Sequence, residues 1–329
     1  MVQLLGQEVG STGFGLMGLT WRATPQPEEE SFKAMKAAIK AGCVFWNGGE
    51  FYGTPELNSL TLLEKYFTKY PEDADKVILS IKGGNNGHVP DSSPENVKRS
   101  IDECLRLLNG KKKLDIFECA RVDKKTPIEV TMEYVDKEYV QTGKIGGIAL
   151  SEVSAATVEC AVKVTKIVAV EIEVSLFATD PLTSGLFEAC AKHEIPIVAY
   201  SPLGRGMLTG QIKSLDDIPQ DSLIKHFPRF SPENFPKNLE LVKSVQDIAE
   251  SKGCTPGQLA ISWVRHLSGR NGNPAVIPIP GATKESRIVE NAKEITLEKS
   301  DLETMDKILA SFEPSGARYP GPIQAYCDV

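Results

Sequence analysis

The 329-residue chain predicts a single eight-stranded parallel α/β barrel spanning residues 1–329, and three observations predict it. Eight short β-rich runs alternate with segments of helical spacing. The runs are almost continuously apolar, as strands read when both faces are buried. No GxGxxG followed by a distal acid sits at the first strand-to-helix turn, where an open dinucleotide-binding sheet would carry it.

A glycine-rich run at 13–19 is the first strand candidate, and the others are 44–46, 77–81, 114–119, 145–150, 167–172, 195–200 and 275–279. Helical spacing covers 28–41, 57–69, 94–108, 127–142, 154–164, 182–192, 239–252 and 284–293. Ser93-Pro94-Glu95 and Thr126-Pro127-Ile128-Glu129 read as helix starts, an N-cap followed by proline and an acid. The run Gly13-Phe14-Gly15-Leu16-Met17-Gly18 comes near a dinucleotide fingerprint, but Leu19-Thr20-Trp21 and prolines follow it where a helix would be needed. Two pieces stand outside the alternation: a polar segment at 203–237 and an extended tail after Phe312, lengths that in compact domains usually carry function.

Composition narrows the partners. Apolar residues at 41% and charged residues at 25% are enough to build a large core. The net charge of −7 is spread along the chain, so there is no basic face for nucleic acid, and Lys111-Lys112-Lys113 reads as a solvated turn. Cys43, Cys104, Cys119, Cys160, Cys190, Cys254 and Cys327 are scattered without a CxxC pair, the usage of reduced core residues in a cytoplasmic protein with no metal site. The start, MVQLLGQEVG, lacks the pattern of a signal peptide, and no run approaches the roughly 20 apolar residues needed to cross a bilayer, so no membrane association is expected.

Barrel enzymes place their chemistry at the carboxyl ends of the strands. Asn47-Gly48-Gly49-Glu50-Phe51-Tyr52-Gly53 follows the second strand, Lys82-Gly83-Gly84 the third, and Ser201-Pro202-Leu203-Gly204-Arg205-Gly206 the seventh. Lys82 closes an apolar run, and a charge entering a barrel interior needs a partner or a purpose. Beside Tyr52 its ammonium would stabilise a phenolate and make the tyrosine a usable proton donor. A satisfied lysine and an unrelated loop tyrosine fit the local features equally well.

The spacing of Asn47, Tyr52 and Lys82, the run SPLGRGMLTG from Ser201 and the run IPIPGATKESRIVEN from Ile277 resemble the aldo-keto reductase superfamily along nearly the whole chain. That resemblance implies a small-molecule aldehyde substrate and NADPH lying extended across the barrel mouth. It also implies a catalytic set of Tyr, Lys, Asp and His. Tyr52 and Lys82 match, while Asn47 stands at the Asp position and Ala120 at the His position. NGGEFYG, FECARVD, LSEVSA and VEIEVSLF look like the fungal pyridoxal reductase branch, which points to reduction of pyridoxal to pyridoxine. With Asn47 in place of a carboxylate, the Lys82 charge should be less neutralised and pull harder on Tyr52. Ala120 should leave room for a ring-bearing aldehyde, Arg121 is a candidate to orient it or stabilise the developing alkoxide with a structural salt bridge as the equal alternative, and the phenolic hydroxyl of pyridoxal offers a further hydrogen bond.

The same resemblance assigns the cofactor contacts. Tyr200 would stack on the nicotinamide, and Ser201, Leu203, Gly204 and Gly206 would wrap the pyrophosphate. Thr283, Lys284 and Arg287 would take the adenosine phosphate at a helix start, with Glu290 and Asn291 on the adenine side. Ser151 and Glu171 fall at the carboxamide site, where Glu152 and Glu171 replace the usual amides and cannot donate to the carboxamide oxygen. Trp21 and Phe51 are candidate walls for an aromatic substrate, and Glu50 a candidate substrate contact. His88 and His226 read as loop residues, His193 and His266 as helix ends. Two other readings remain: an NADPH-sensing regulatory subunit with slow turnover, and a broad-range aldehyde reductase.

Overall fold

A computed structural model describes residues 2–87, 89–220 and 222–327. Eight parallel strands follow one another in space as they do in sequence: β1 (Phe14–Gly15), β2 (Phe45–Gly49), β3 (Ile78–Gly83), β4 (Ile116–Cys119), β5 (Gly147–Ser151), β6 (Ile167–Glu173), β7 (Ile197–Tyr200) and β8 (Val276–Pro278). The sheet closes on itself. Gly13 and Gly15 donate to the carbonyls of Pro278 (2.9 Å) and Pro280 (3.3 Å), and Gly15 pairs with Gly281. A Cβ on Gly13 would lie 2.8 Å from the Phe45 carbonyl oxygen, and one on Gly15 2.9 Å from that of Ile279. The glycines at this seam therefore serve backbone approach. β1 is only two residues long, and a one-turn helix, Met17–Thr20, follows it where no helix signal is present in the residues.

The helices of the outer layer are α1 (Glu28–Lys40), α2 (Ser59–Lys69), α3 (Pro94–Leu108), α4 (Ile128–Val135), α5 (Ala155–Ala161), α6 (Leu186–Lys192), α7 (Phe235–Ser251), α8 (Pro256–Arg265), α9 (Glu285–Ala292) and α10 (Lys299–Ser311). Ser93 caps α3 as its sequence predicts, whereas Thr126 bonds Asp123 and leaves α4 without a side-chain cap. α8 and α10 were not read from sequence, although Thr255, Pro256 and Gln258 form a capping box at the start of α8. α7 begins inside the segment taken as a loop, with a proline in its first turn.

An N-terminal hairpin (Val2–Leu4 with Gln7–Val9) plugs the lower end of the barrel; its turn puts Leu5 and Gly6 at positive φ, as a tight hairpin requires. Leu4 and Val9 pack there against Phe45, Ile78, Ile116, Ala149, Ala169, Val198 and Ile277. Alternation places the residues two further along each strand on the same inner face: Asn47, Ser80, Glu118, Ser151, Glu171, Tyr200 and Ile279. The interior thus changes from apolar to polar within one layer. The intervening residues, among them Trp46, Leu79, Phe117, Leu150, Val170 and Ile197, face outward and form the larger core with the helices.

His88 lies outside the described residues. Among the described residues no helix is long and apolar enough to cross a membrane, and all seven cysteines are free thiols.

Candidate active site

Lys82 projects from the upper end of β3 and is 4% exposed. Its Nζ donates to Asn47 Oδ1 and to Glu171, both at 2.6 Å, and lies 3.4 Å from Glu118. Asn47 Nδ2 donates in turn to Glu171 (2.6 Å) and Glu118 (3.1 Å). Burial alone would strip the proton from such a lysine, but the two carboxylates outweigh it and hold Lys82 well above the ordinary lysine range. Burial, followed by the neighbouring Glu118, pushes Glu171 up to about 8. The expectation that Asn47 leaves Lys82 under-neutralised is therefore wrong: the strand beside it and the one opposite supply two carboxylates. For the same reason Glu171 is committed to Lys82 and Asn47, against its assignment to the carboxamide.

Tyr52 stands over this cluster, its ring centroid 5.9 Å from Lys82 Nζ. The loop after β2 is shaped to put it there. A Cβ on Gly49 would lie 2.9 Å from the Tyr52 ring, one on Gly53 would overlap the Leu57 carbonyl, and Thr20 Oγ1 donates to the Tyr52 carbonyl at 2.6 Å. Burial pushes the Tyr52 phenol up to about 12, while Lys82 and Arg121 pull it back. Lys82 thus acts in the expected direction without bringing the phenol near neutrality. Trp21, 38% exposed, packs at 5.3 Å from the Tyr52 ring and 6.0 Å from Phe51, outside the cavity wall.

A cavity of about 510 Å³ runs from Tyr52, Asn47, Lys82, Glu171 and Arg121 past Tyr200 to Ser201, Leu203 and Gly206, and on to Thr283, Arg287, Glu290 and Asn291. Several candidates lie elsewhere. Glu50 is tied to Arg99 (2.6 Å) and Ser100 (2.5 Å) on α3, which removes it from the substrate side. Ala120 is buried behind the wall, so the argument that it makes room for a ring does not hold. Gly204 packs beside Phe177, Ser151 is buried with its hydroxyl unpartnered, and Lys284 is exposed beside the groove.

The segment at 203–237 and the tail close the mouth together. Asn234 Oδ1 accepts from the Ser315 hydroxyl (2.8 Å), and Asn238, one turn further on α7, accepts from the Ser315 amide (2.9 Å) and donates to its carbonyl (2.9 Å). This docking inserts Arg318, 6% exposed, against Glu152 at 2.8 Å; Glu152 also accepts from the Tyr200 hydroxyl at 2.6 Å. Burial would raise the Glu152 carboxyl, but Arg318 and Arg121 hold it below the ordinary range. Arg205 reaches Glu173 at 2.9 Å, and the Tyr319 hydroxyl meets that of Tyr200 at 2.8 Å. Sequence reading missed Glu118, Glu173, Arg318 and Tyr319. The first two share the inward parity of Lys82 and Glu171 and could have been found from it. The tail pair has no local signal.

A polar, charge-ordered cavity at the carboxyl ends of a closed barrel defines an enzyme of oxidoreductase type once its family is placed. The chain belongs to the aldo/keto reductase family, whose model matches residues 12–310. It is similar to two fungal proteins provisionally named pyridoxal reductases. One, from Schizosaccharomyces pombe, is 41% identical with 98% of each chain covered; the other, from Saccharomyces cerevisiae, is 36% identical with 94% of this chain and 95% of its own covered. A Schizosaccharomyces pombe aldo-keto reductase whose name specifies NADP(+) is 34% identical over 95% of this chain and 92% of its own. A glycerol dehydrogenase structure from Gluconobacter oxydans shares the fold, with a TM-score of 0.80 at 22% identity, covering 96% of this chain and 97% of its own.

The groove suits the nicotinamide cofactor that the family generally uses. Ser201 (φ 50), Arg205 (φ 58) and Gly206 (φ 97) adopt left-handed backbone beside it, turning amides within one short stretch. α9 starts at the far end with no side chain capping its first amides, and Arg287 stands on its first turn.

Proposed function

We propose that the enzyme reduces pyridoxal to pyridoxine with NADPH. The observation that carries this reading is Tyr52 held over the buried Lys82 at the inner end of a cavity that continues into the nicotinamide groove. Similarity over nearly the full chain to fungal proteins provisionally named pyridoxal reductases supports pyridoxal as the substrate.

When bound, NADPH supplies the hydride that the carbonyl carbon receives. Tyr52 gives its hydroxyl proton to the carbonyl oxygen, and the phenolate left behind is stabilised by Lys82 until solvent returns the proton. Glu118, Glu171 and Asn47 hold the Lys82 ammonium at one point, so it orients as well as charges the site. Tyr200, fixed by its hydroxyl bond to Glu152, is the residue that would hold the nicotinamide ring. Ser201, Leu203 and Gly206 would hold the pyrophosphate, and Thr283 and Arg287, with Lys284 at the rim, would take the adenosine phosphate.

Steady-state rates with NADPH across pyridoxal, pyridoxal phosphate and simple aromatic aldehydes test this. A clear preference in kcat/KM for pyridoxal is expected. Equal rates on all aldehydes would make the enzyme a broad-range reductase. NADPH binding with negligible turnover would favour a regulatory subunit, the reading that Asn47 and Ala120 at family catalytic positions support.

A further inference from the structure

Lys82, Arg205 and Arg318 at the barrel mouth each have a carboxylate within hydrogen-bond distance: Glu171 at 2.6 Å, Glu173 at 2.9 Å and Glu152 at 2.8 Å. Arg121 also lines the cavity and has no carboxylate partner among the described residues. Its Nη1 donates to the Ala120 carbonyl at 2.6 Å, its Nη2 to the Tyr319 hydroxyl at 3.3 Å, and its Nε is buried with no partner. Glu152, the acid whose charge it feels, is already engaged by Arg318 and Tyr200. A guanidinium taken out of water without a counter-charge is unfavourable, and an anion arriving with a ligand would restore the balance.

We propose that Arg121 receives a negatively charged oxygen that the substrate carries next to its aldehyde, while the Tyr319 hydroxyl, which accepts from Arg121 and donates to Tyr200, holds the guanidinium in place. The site then selects aldehydes with an acidic oxygen on the neighbouring atom, of which the phenolic oxygen of pyridoxal is one. Arg121 and Tyr52 line the same cavity, and Arg121 is near enough to act on the Tyr52 phenol, so one substrate could present its carbonyl to Tyr52 and its oxyanion to Arg121. The tail contributes directly, because Tyr319 comes from it and its hydroxyl links Arg121 to Tyr200. This deepens the pyridoxal reading but rests on separate residues.

Two measurements on the NADP-loaded protein test it. In the first, benzoate binding is followed by calorimetry in the wild type, Arg121→Met and Arg121→Lys. Arg121→Met should weaken benzoate about 10- to 100-fold, the worth of a charge-assisted hydrogen bond, and Arg121→Lys should recover part of it. In the second, kcat/KM is compared for pyridoxal against its 3-O-methyl ether, and for 2-carboxybenzaldehyde against benzaldehyde. Both ratios should fall at least about tenfold in Arg121→Met. Unchanged benzoate binding, or equal losses within each pair, would overturn the proposal. A wild type that ignores pyridoxal but favours 2-carboxybenzaldehyde over benzaldehyde would refute the pyridoxal reading and leave the anion site standing.

Discussion

Two charge clusters share the barrel mouth and balance in opposite ways. Around Lys82 one cation faces two buried acids, Glu118 and Glu171. Across the cavity Arg121, Arg205 and Arg318 face two acids, Glu152 and Glu173. The first cluster is short of positive charge, and burial together with the neighbouring Glu118 raises the Glu171 carboxyl in consequence. Counted over the described residues, the second has more cations than acids. The first is carried on adjacent or facing strands, whereas the second depends on the tail reaching Glu152 across 166 residues of sequence. A barrel can thus keep a rigid proton-handling wall and an adaptable binding wall in one cavity.

The sharpest break between the two walls should come from Tyr52→Phe. It removes the proposed proton donor and keeps the ring, so turnover should drop about 100- to 10,000-fold while NADPH affinity, read by fluorescence titration, stays near wild type. Turnover close to wild type would place the acid elsewhere.

Next in size is Arg318→Ala, which leaves Glu152 buried without its main counter-charge and frees the tail. A stability loss of about 3 kcal/mol is expected in denaturant melts, with faster proteolysis beyond Phe312. An unchanged melt with an intact tail would show that Asn234 and Asn238 suffice to dock it.

The proton-holding wall can be read from pH. Glu171 in the folded chain titrates near 8, above an ordinary carboxyl, so the native state binds a proton that the unfolded state has lost. Its contribution to stability is present at low pH and declines as pH rises from about 4.5 toward 8. Glu171→Gln should flatten that decline in Tm measured across this window. A variant whose Tm falls with pH as the wild type does would assign the titration to another group.

The smallest effect expected is on cofactor choice. Arg287 is partly occupied by Glu290 at 2.5 Å and Lys284 is exposed, so replacing both by Ala should weaken NADPH relative to NADH by only about 10-fold. Equal weakening of the two cofactors would move the phosphate off α9.

How much of the site was legible follows from where its partners sit. Lys82 stands at a strand end and Tyr52 in the loop after β2, positions that mark them as candidates, and the family resemblance rather than local pattern paired them. Glu118, Glu171 and Glu173 lie inside runs that look apolar because their outward neighbours are, and only the inward parity shared with Lys82 separates them. Glu50 and Ala120 were misplaced because the direction of a loop side chain depends on α3 and the cavity wall, which no local pattern encodes.

By itself the sequence determined a β/α barrel of eight alternating units, with 13–19 as its first strand and Tyr52 and Lys82 as candidates beyond strand ends, because periodicity and turn chemistry act over a few residues. Tertiary structure alone decided which acids neutralise Lys82, that Arg318 and Tyr319 enter the mouth, and that Arg121 has no carboxylate partner among the described residues. Charge pairing in a buried cavity is a property of distances between strand ends and a returning tail, and those distances exist only once the barrel has closed.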